Sequence, residues 1–385
     1  MTQFPSIIHS KLPGIGTSIF AVMSQLASEY HAINLSQGFP DFEVSAELIE
    51  KIGQFMRKGY NQYAPMPGVP ALRQAIVRKA RETYGIDYDA DKEVTVTAGA
   101  TQAIYTAVSA IVREGDEVII LEPAYDSYAP AVKMNGGMVK YSPLKIPGYG
   151  IDWELTTRLV TSRTRMIIIN SPHNPTGSVL TEEDLKKLED FAGRHNLVVV
   201  SDEVYEHLIY DGLAHQSVCL YPKLAARSYV IGSFGKTFHA TGWKMGYALA
   251  PENLTEEFRK VHQFIVFTCN TPIQHALAEY MEDKGNYSGL NMFYQQKRDY
   301  FADLMQDSRF RIVPCYGTYF QLLDYSAISD EPERDFAIRL TKEYGVATIP
   351  ISPFYQKEFN NSILRVCFAK KEATLKKAAD ILCKI

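Results

Sequence analysis

The sequence predicts an α/β fold built around a mostly parallel β-sheet. From about residue 94 onward, short apolar runs alternate with amphipathic helical patterns, as in strands joined by crossover helices. The runs that predict strands lie at 94–96, 118–121, 166–169, 197–200 and 229–231. Thr181 and Asp184 form a capping-box pattern, which predicts a helix between two of these runs that ends near residue 195. A mostly parallel sheet of this kind is covered by helices on both faces.

The sequence before residue 94 predicts an N-terminal arm followed by helices and polar loops. Residues 1–16 are interrupted by prolines and glycines and are interpreted as an arm. A helix is predicted over 17–31, with Thr17 or Ser18 as its N-cap. Two more helices are predicted at about 45–58 and 69–84, and the loop between them carries Tyr63.

Length and composition favour a globular chain of two domains. The 385 residues are 46% hydrophobic and 22% charged, which is ordinary for a globular protein with a large core. We expect a large domain at 46–283. The smaller α/β domain would combine the N-terminal arm, 1–45, with 284–385, and the helical stretch near 284–308 would connect the two.

Several classes of function have no support in the composition. The net charge of −4 and the lack of a basic run argue against a nucleic-acid partner. The first residues lack the pattern of a secretory signal, and no apolar run approaches the length of a membrane span. The five cysteines and nine histidines are scattered, without Cys-x-x-Cys or His-Glu-x-x-His, so we expect no metal site. Reduced cysteines predict a cytoplasmic protein.

Polar or aromatic residues follow each of the five predicted strands. These residues include Thr97, Gly99, Ala100, Thr101, Tyr125, Asn170, Asn174, Ser201, Asp202, Tyr205, Ser233 and Lys236. Ligands of open parallel sheets bind at the carboxyl ends of the strands. Each residue alone is most often a turn or a cap, but five successive strand ends together predict one shared site.

The segment at 233–244, Ser-Phe-Gly-Lys-Thr-Phe-His-Ala-Thr-Gly-Trp-Lys, is the centre of that site. It lies between two apolar runs, the second at 245–250. A nucleotide-binding P-loop would need a glycine five residues before Gly235, and that position is Val230. Ser233 and Lys244 could hold an anion. Lys236 between them could lose its proton easily in a dry environment and act as a nucleophile.

Pyridoxal 5′-phosphate is the ligand that requires this set of groups. Its phosphate needs an anion site, which the helix start after Gly99 could provide. Its ring stacks on an aromatic side chain such as Tyr125, and a buried carboxylate such as Asp202 keeps its ring nitrogen protonated. Its aldehyde condenses with an amine, here that of Lys236.

The chain carries six motifs in the same order as the class I and II aminotransferases of pyridoxal-phosphate fold type I, and it resembles that family. The motifs are Leu-Ser-Gln-Gly-Phe-Pro-Asp-Phe at 35–42, Asn-Gln-Tyr-Ala-Pro at 61–65, Asn-Pro-Thr-Gly at 174–177, Ser-Asp-Glu-Val-Tyr-Glu at 201–206, Ser-Phe-Gly-Lys-Thr-Phe at 233–238 and Leu-Arg-Val-Cys-Phe-Ala at 364–369. They cover almost the whole chain. Within the family, the sequence is most similar to methionine aminotransferases and to kynurenine or glutamine aminotransferases.

The resemblance implies a role for each matching residue. The implied catalytic residues are Lys236, which forms the Schiff base and carries the proton, Asp202, which pairs with the ring nitrogen, and Tyr205. The implied cofactor-binding residues are Gly99, Ala100, Thr101, Tyr125, Asn174, Asp202, Tyr205, Ser233, Lys236, Lys244 and Tyr63. The implied substrate-binding residues are Gly38, Asn174, Arg365, Phe20 and Phe354. Tyr63 would reach the phosphate of the other subunit, which implies a homodimer with shared active sites.

The resemblance also implies a substrate class. The side-chain pocket would be lined by uncharged residues, namely Phe20, Phe39, Tyr63, Phe267 and Phe354, which suits methionine and aromatic or large apolar amino acids. Thr268 replaces a histidine of kynurenine-preferring relatives. The alternatives are a kynurenine or glutamine aminotransferase and a cysteine-S-conjugate β-lyase. A ligand-sensing regulator on the same fold would carry a DNA-binding segment before the fold, whereas the fold here is expected to begin within about 20 residues of the start.

Overall fold

A computed structural model of the chain describes residues 7–357 and 360–385. The predicted arm at 1–16 therefore falls partly outside the described residues. The helices are α1 (Ile19–Glu29), α2 (Ala46–Arg57), α3 (Pro70–Tyr84), α4 (Ala100–Ile111), α5 (Tyr128–Met134), α6 (Trp153–Arg158), α7 (Glu182–Arg194), α8 (Pro222–Ala225), α9 (Phe234–Thr237), α10 (Glu252–Ile265), α11 (Thr271–Tyr280), α12 (Gly285–Ser288), α13 (Leu290–Leu304), α14 (Glu333–Arg339) and α15 (Glu372–Leu382). In this part of the chain, no helix is long and apolar enough to cross a membrane.

The strands form a large sheet, a small sheet and a two-stranded pair. They are β1 (Ile33–Asn34), β2 (Val94–Thr97), β3 (Glu117–Glu122), β4 (Met138–Pro143), β5 (Thr164–Asn170), β6 (Val198–Asp202), β7 (Ser228–Ser233), β8 (Gly246–Leu249), β9 (Arg311–Ile312), β10 (Phe320–Asp324), β11 (Val346–Ala347), β12 (Ile349–Pro350) and β13 (Ile363–Cys367). Each apolar run that predicted a strand coincides with one of the strands β2, β3, β5, β6 and β7.

The large sheet has the strand order β2-β8-β7-β6-β5-β3-β4. Strands β7, β6, β5, β3 and β4 pair in parallel, whereas β8 runs antiparallel to both of its neighbours, β2 and β7. The prediction of a mostly parallel sheet is therefore confirmed. The strand β4 was not predicted, because only one of its six residues is buried and the residues do not form an apolar run.

The core lies on both faces of the large sheet, as expected. Along β3, Val118 and Ile120 belong to one apolar cluster, while Ile119 and Leu121 belong to another. Successive side chains of a strand point to opposite faces, so each face is buried by its own layer. Helices α4, α5 and α10 contribute to the first cluster, and helices α3, α7 and α11 contribute to the second.

The predicted caps position several of the helices. Ser18 Oγ accepts a hydrogen bond from the Ala21 amide at the start of α1, which confirms Ser18 as the N-cap. Thr181 and Asp184 form the predicted capping box of α7. Helix α7 then ends at Arg194, one residue before the predicted end.

The small sheet is antiparallel, with the order β12-β13-β10-β9. Arg365 lies in the middle of β13, opposite Leu322 of β10 and Ile349 of β12. The two-stranded pair joins β1 to β11 and so ties the N-terminal segment to the C-terminal part of the chain. The division into a large domain at 46–283 and a small domain of 1–45 with 284–385 stays a prediction.

Candidate active site

A cavity of about 420 Å³ lies where the large sheet meets the small one. The residues that line it are Ser18, Phe20, Gln37, Gly38, Gly99, Ala100, Thr101, Ile104, Tyr125, Asp126, Asn170, Asn174, Asp202, Val204, Tyr205, Ser233, Gly235, Lys236, Thr241, Lys244, Met245, Phe320 and Arg365. The strands β2, β3, β5, β6 and β7 all send residues to it from their carboxyl ends, as the sequence predicted.

One end of the cavity is built to hold an anion. Helix α4 starts there after Gly99, whose φ of 80° is the left-handed conformation that glycine tolerates. The free amides of a helix N-terminus and its dipole attract negative charge. Lys244 adds a cation beside this helix start and itself adopts a left-handed conformation, with a φ of 54°. Ser233 lines the same end of the cavity.

Lys236 presents its amine to the cavity from the short helix that follows β7. Its Nζ donates hydrogen bonds to the Tyr319 hydroxyl (2.6 Å) and the Gly38 carbonyl oxygen (3.1 Å). Burial lowers the pKa of this amine to about 8, with Arg365 and Lys244 acting in the same direction. About a tenth of the amine is therefore neutral, and so nucleophilic, at pH 7.

Asp202 is the buried carboxylate of the site. Its Oδ2 accepts a hydrogen bond from the Tyr128 hydroxyl at 2.6 Å, and its own backbone oxygen accepts one from Asn170 Nδ2 at 2.8 Å. Burial raises the pKa of the Asp202 carboxyl to about 6, while the Tyr128 hydrogen bond opposes that rise. A cationic ligand next to this carboxylate would stabilise its charged form.

Arg365 is a fully buried cation at the other end of the cavity, with a relative exposure of 1%. It donates hydrogen bonds to Asn174 Oδ1 (2.6 Å) and the Ser36 carbonyl oxygen (3.2 Å). Its Nε is buried and has no partner within the described residues. The guanidinium lies 3.8 Å from the centre of the Phe320 ring, and burial lowers its pKa to about 10. An unpartnered buried donor is costly, so this group is suited to receive an anionic ligand.

Aromatic side chains form much of the remaining wall. The Tyr125 ring lies at the cavity with its edge toward Tyr128, the ring centres being 5.7 Å apart. Tyr205 is buried, lines the cavity, and packs edge-on against Tyr319. Burial raises the pKa of both Tyr125 and Tyr205, so both phenols stay protonated.

Most of the residues that the sequence predicted for the site line this cavity. They are Phe20, Gly38, Gly99, Ala100, Thr101, Tyr125, Asn174, Asp202, Tyr205, Ser233, Lys236, Lys244 and Arg365. Phe354 lies one layer behind the wall, where its ring packs edge-on against Phe20 and faces the guanidinium of Arg365. Tyr63 is 82% exposed on the surface of the chain and packs against Phe267. Phe39 and Phe267 also lie outside the cavity.

The structure adds site residues that the sequence did not single out. Tyr128 begins α5 three residues after Tyr125, a spacing that puts both on one side of a helical turn. Asp126, a carboxyl group that the sequence did not single out, also lines the cavity. Tyr319 and Phe320 reach the site from the small sheet, and no local pattern in the sequence indicates this. The structure has no His/Cys/Asp/Glu cluster suited to a metal ion in the residues it describes.

Residues 30–382 match the family model of aminotransferase class I and II. The chain is 49% identical over 383 residues to the methionine aminotransferase of Escherichia coli (strain K12), covering 99% of both chains. A crystal structure from Escherichia coli, described as identifying a methionine aminotransferase function, matches with a TM-score of 0.97 and 48% identity. That match covers 99% of this chain and 100% of the other.

Two further relatives are named for other substrates. The human kynurenine–oxoglutarate transaminase 1 is 35% identical over 404 residues, with 95% of each chain covered. The structure of N-succinyldiaminopimelate aminotransferase from Mycobacterium tuberculosis matches with a TM-score of 0.94 and 37% identity, covering 98% of this chain and 100% of that one. Similarity over the whole chain therefore extends to proteins named for several amino donors.

Gly246 provides a direct test of the anion end of the cavity. A Cβ atom at this position would lie 2.8 Å from the Gly232 carbonyl oxygen and 3.0 Å from the Ala100 amide nitrogen. Both are backbone atoms, so Gly246→Ala should push β8 away from α4 and destabilise the protein by about 1–3 kcal/mol. We expect thermal unfolding to show a lower Tm and a loss of the stabilisation that inorganic phosphate gives the wild type.

The matched control is Gly242→Ala, four residues before Gly246. A Cβ atom there would have no neighbour within 4 Å, and the backbone φ is not in the left-handed region. Its Tm and its response to phosphate should stay close to those of the wild type. Equal phosphate stabilisation in wild type and Gly246→Ala would contradict the assignment of this end of the cavity to an anion.

Proposed function

The chain belongs to the class I and II aminotransferases, and from that premise we propose that it moves the amino group of methionine, or of an aromatic or other large apolar amino acid, to a 2-oxo acid with pyridoxal 5′-phosphate as cofactor. The observation that carries the proposal is the position of Lys236. Its buried amine, with a pKa near 8, shares one cavity with an anion site, a buried carboxylate and a buried arginine.

The residues present fit pyridoxal 5′-phosphate group by group. The start of α4, with Ser233 and Lys244, would hold the phosphate. Tyr125 would stack on the ring, and Asp202 would pair with the protonated ring nitrogen. Asn174 and Tyr205 would donate hydrogen bonds to the ring hydroxyl. Each of these side chains lines the same cavity.

The bound cofactor would supply the electron sink that makes the α-carbon of an amino acid acidic. The protein's own contribution is then binding, orientation and proton transfer. Lys236 would link to the cofactor aldehyde, and its released amine would accept and return the proton of the α-carbon. A pKa near 8 suits a group that must both take and give a proton near neutral pH.

Arg365 would bind the α-carboxylate of the substrate. Its Nε is a buried donor without a partner among the described residues, and its two other contacts are to neutral oxygen acceptors, Asn174 and Ser36. A carboxylate would pair with the guanidinium through two parallel hydrogen bonds. The rings of Phe20, Phe320 and Phe354 surround this cation and fix its orientation.

The cavity favours an apolar substrate side chain. Phe20, Ile104 and Phe320 supply apolar surface, and Asp126 supplies a carboxyl group that would repel a second substrate carboxylate. The cations of the cavity are already committed in this proposal, Lys244 to the phosphate, Lys236 to the chemistry and Arg365 to the α-carboxylate. A methionine side chain suits such a wall, since its flexible thioether fills irregular space and contacts ring edges favourably.

A homodimer would complete the active site. Tyr63 is 82% exposed and its ring packs edge-on against Phe267, which is itself half-exposed. Phe264, three residues before Phe267 in the chain, is 86% exposed. Exposed aromatic side chains are enriched at protein–protein interfaces. We propose that Tyr63 reaches the phosphate site of the partner subunit.

The five cysteines are free of disulfide bonds, in agreement with the proposed cytoplasmic location.

The first test of this function is the covalent link at Lys236. The purified wild type with added pyridoxal 5′-phosphate should be yellow, and reduction with borohydride should attach the cofactor mass to the peptide that contains Lys236. Lys236→Ala should bind the cofactor without that link and lose nearly all turnover. Lys186→Ala, which changes an exposed lysine paired with Glu182, is the control. A wild type that takes up no cofactor would refute the proposal.

The shared site is tested by mixing an impaired variant with an inactive one. Tyr63→Phe and Lys236→Ala should exchange subunits to give heterodimers in which one site carries both changes and the other carries neither. Activity after mixing should therefore rise above that of either homodimer. If exchange is verified by mass spectrometry and the activity stays at the Tyr63→Phe level, Tyr63 serves its own subunit or none.

Substrate choice is tested with a panel of amino donors. Methionine and aromatic amino acids should exceed aspartate in kcat/KM by at least about a hundredfold, because aspartate would bring an unpaired carboxylate next to Asp126. Asp126→Asn should raise kcat/KM for aspartate several-fold and leave the value for methionine within about twofold, since the change removes charge but keeps size. Similar values for aspartate and methionine in the wild type would contradict the assignment.

A further inference from the structure

Tyr319 contacts the reactive amine from outside the cavity. It directly precedes β10 of the small sheet, it is fully buried, and its hydroxyl lies 2.6 Å from Lys236 Nζ. Tyr319 is not among the residues that line the cavity. Its ring packs edge-on against Tyr205, with the ring centres 5.1 Å apart, so it meets both the lysine and a wall residue from behind.

The hydrogen bonds around Lys236 account for every N–H of a neutral amine. A phenol has one proton to donate, and the Tyr319 hydroxyl donates it to the Gly38 carbonyl oxygen. The Tyr319 oxygen is then an acceptor for Lys236, and the Gly38 oxygen is a second acceptor at 3.1 Å. A neutral amine has two N–H groups, and these two acceptors use both. Only the lone pair of the Lys236 nitrogen then remains free to point into the cavity.

The second acceptor is held firmly by the small sheet. The Cys367 amide donates to the Leu35 carbonyl oxygen at 2.8 Å, and Lys370 Nζ donates to the Phe39 carbonyl oxygen at 2.8 Å. These bonds flank Gly38 on both sides along the chain. A Cβ atom at residue 38 would lie 2.7 Å from Phe320 Cζ, so the close approach of this carbonyl requires glycine.

We propose that Tyr319 is a positioning residue for Lys236. The Tyr319 hydroxyl and the Gly38 carbonyl oxygen together accept both N–H groups of the neutral Lys236 amine, and they thereby direct the lone pair of its nitrogen into the cavity. This inference rests on the proposed function of Lys236 as the base at the α-carbon. When the amine takes that proton it becomes an ammonium, and the Tyr319 oxygen still accepts one of its N–H groups. No proton leaves Tyr319 in this scheme.

Several other groups face the same amine and enter its titration. The charged or titratable groups around Lys236 are Asp202, Tyr205, Lys244, Tyr319, Arg365 and Cys367. Asp202 and Cys367 favour the ammonium, and Lys244 and Arg365 oppose it. An acceptor for an N–H also favours the charged form, so loss of the Tyr319 oxygen should lower the pKa of the amine.

The test compares Tyr319→Phe with Tyr294→Phe. Tyr294 is also fully buried, but its hydroxyl contacts His239 Nδ1 at 2.9 Å instead of the lysine. In the full chain without cofactor, competitive acetylation followed by mass spectrometry measures the pKa of Lys236. We expect this pKa to fall by about one unit in Tyr319→Phe and to stay at the wild-type value in Tyr294→Phe.

The holoenzyme supplies the second readout. In Tyr319→Phe the single-turnover rate with methionine should fall about 10- to 100-fold, because the lone pair of Lys236 is no longer directed at the α-carbon proton. The KM should stay within about threefold of the wild-type value. The isotope effect with α-deuterated methionine should increase. Tyr294→Phe should leave the rate and the isotope effect unchanged. A merely structural role for Tyr319 would instead lower Tm and raise KM without changing the isotope effect.

Three outcomes separate the possibilities. A pKa and a rate in Tyr319→Phe that both match those of Tyr294→Phe would overturn the inference. If Tyr319→Phe does not fold, 4-fluorophenylalanine at position 319 fills the space of the hydroxyl with a very weak acceptor that cannot ionise, and the same shifts are required. A wild type that transfers no amino group from any donor would refute the proposed function, while the acetylation pKa would still test the contact itself.

Discussion

The structure depends on one geometric constraint, the common direction of the strands in the large sheet. Parallel strands end at the same edge, so residues far apart in sequence meet there without any local signal between them. The strands β3, β5, β6 and β7 pair in parallel, and the groups that follow them form one wall of a single cavity. The antiparallel strand β8 begins at this same edge, so Lys244, two residues before β8, lies beside the start of α4.

Buried charge determines the chemistry of this edge. Lys236, Lys244 and Arg365 give the cavity three cations, against the carboxyl groups of Asp126 and Asp202. Burial lowers the pKa of Lys236 and Arg365 and raises the pKa of Asp202, so each of these groups is more easily neutralised than in water. Such a site is stabilised by ligands that carry negative charge at two places, as a phosphorylated cofactor together with an amino-acid carboxylate would.

The N-terminal segment connects the small sheet to the large one. Leu35, Ser36 and Phe39 accept hydrogen bonds from residues on or just after β13, and Gly38 accepts hydrogen bonds from Lys236 and Tyr319. The same stretch of backbone therefore contacts both the arginine proposed to bind the carboxylate and the lysine proposed to react. A shift of the small sheet would be transmitted to both groups, since packed backbone segments do not deform continuously.

The sequence by itself determined the fold class, the five successive strands and the segments that follow them, because apolar runs, caps and glycines are local signals. It also identified many of the residues that line the cavity. Chain order indicated those that follow a strand, and the resemblance to the family implied Phe20, Gly38 and Arg365. Only the tertiary structure decided which distant groups touch. Lys236 meets Gly38 across 198 residues and Tyr319 across 83, and Arg365 meets Asn174 across 191. These contacts, the lowered pKa of Lys236 and the place of Asp126 in the wall depend on how the two sheets pack, and no periodicity within either segment encodes that packing.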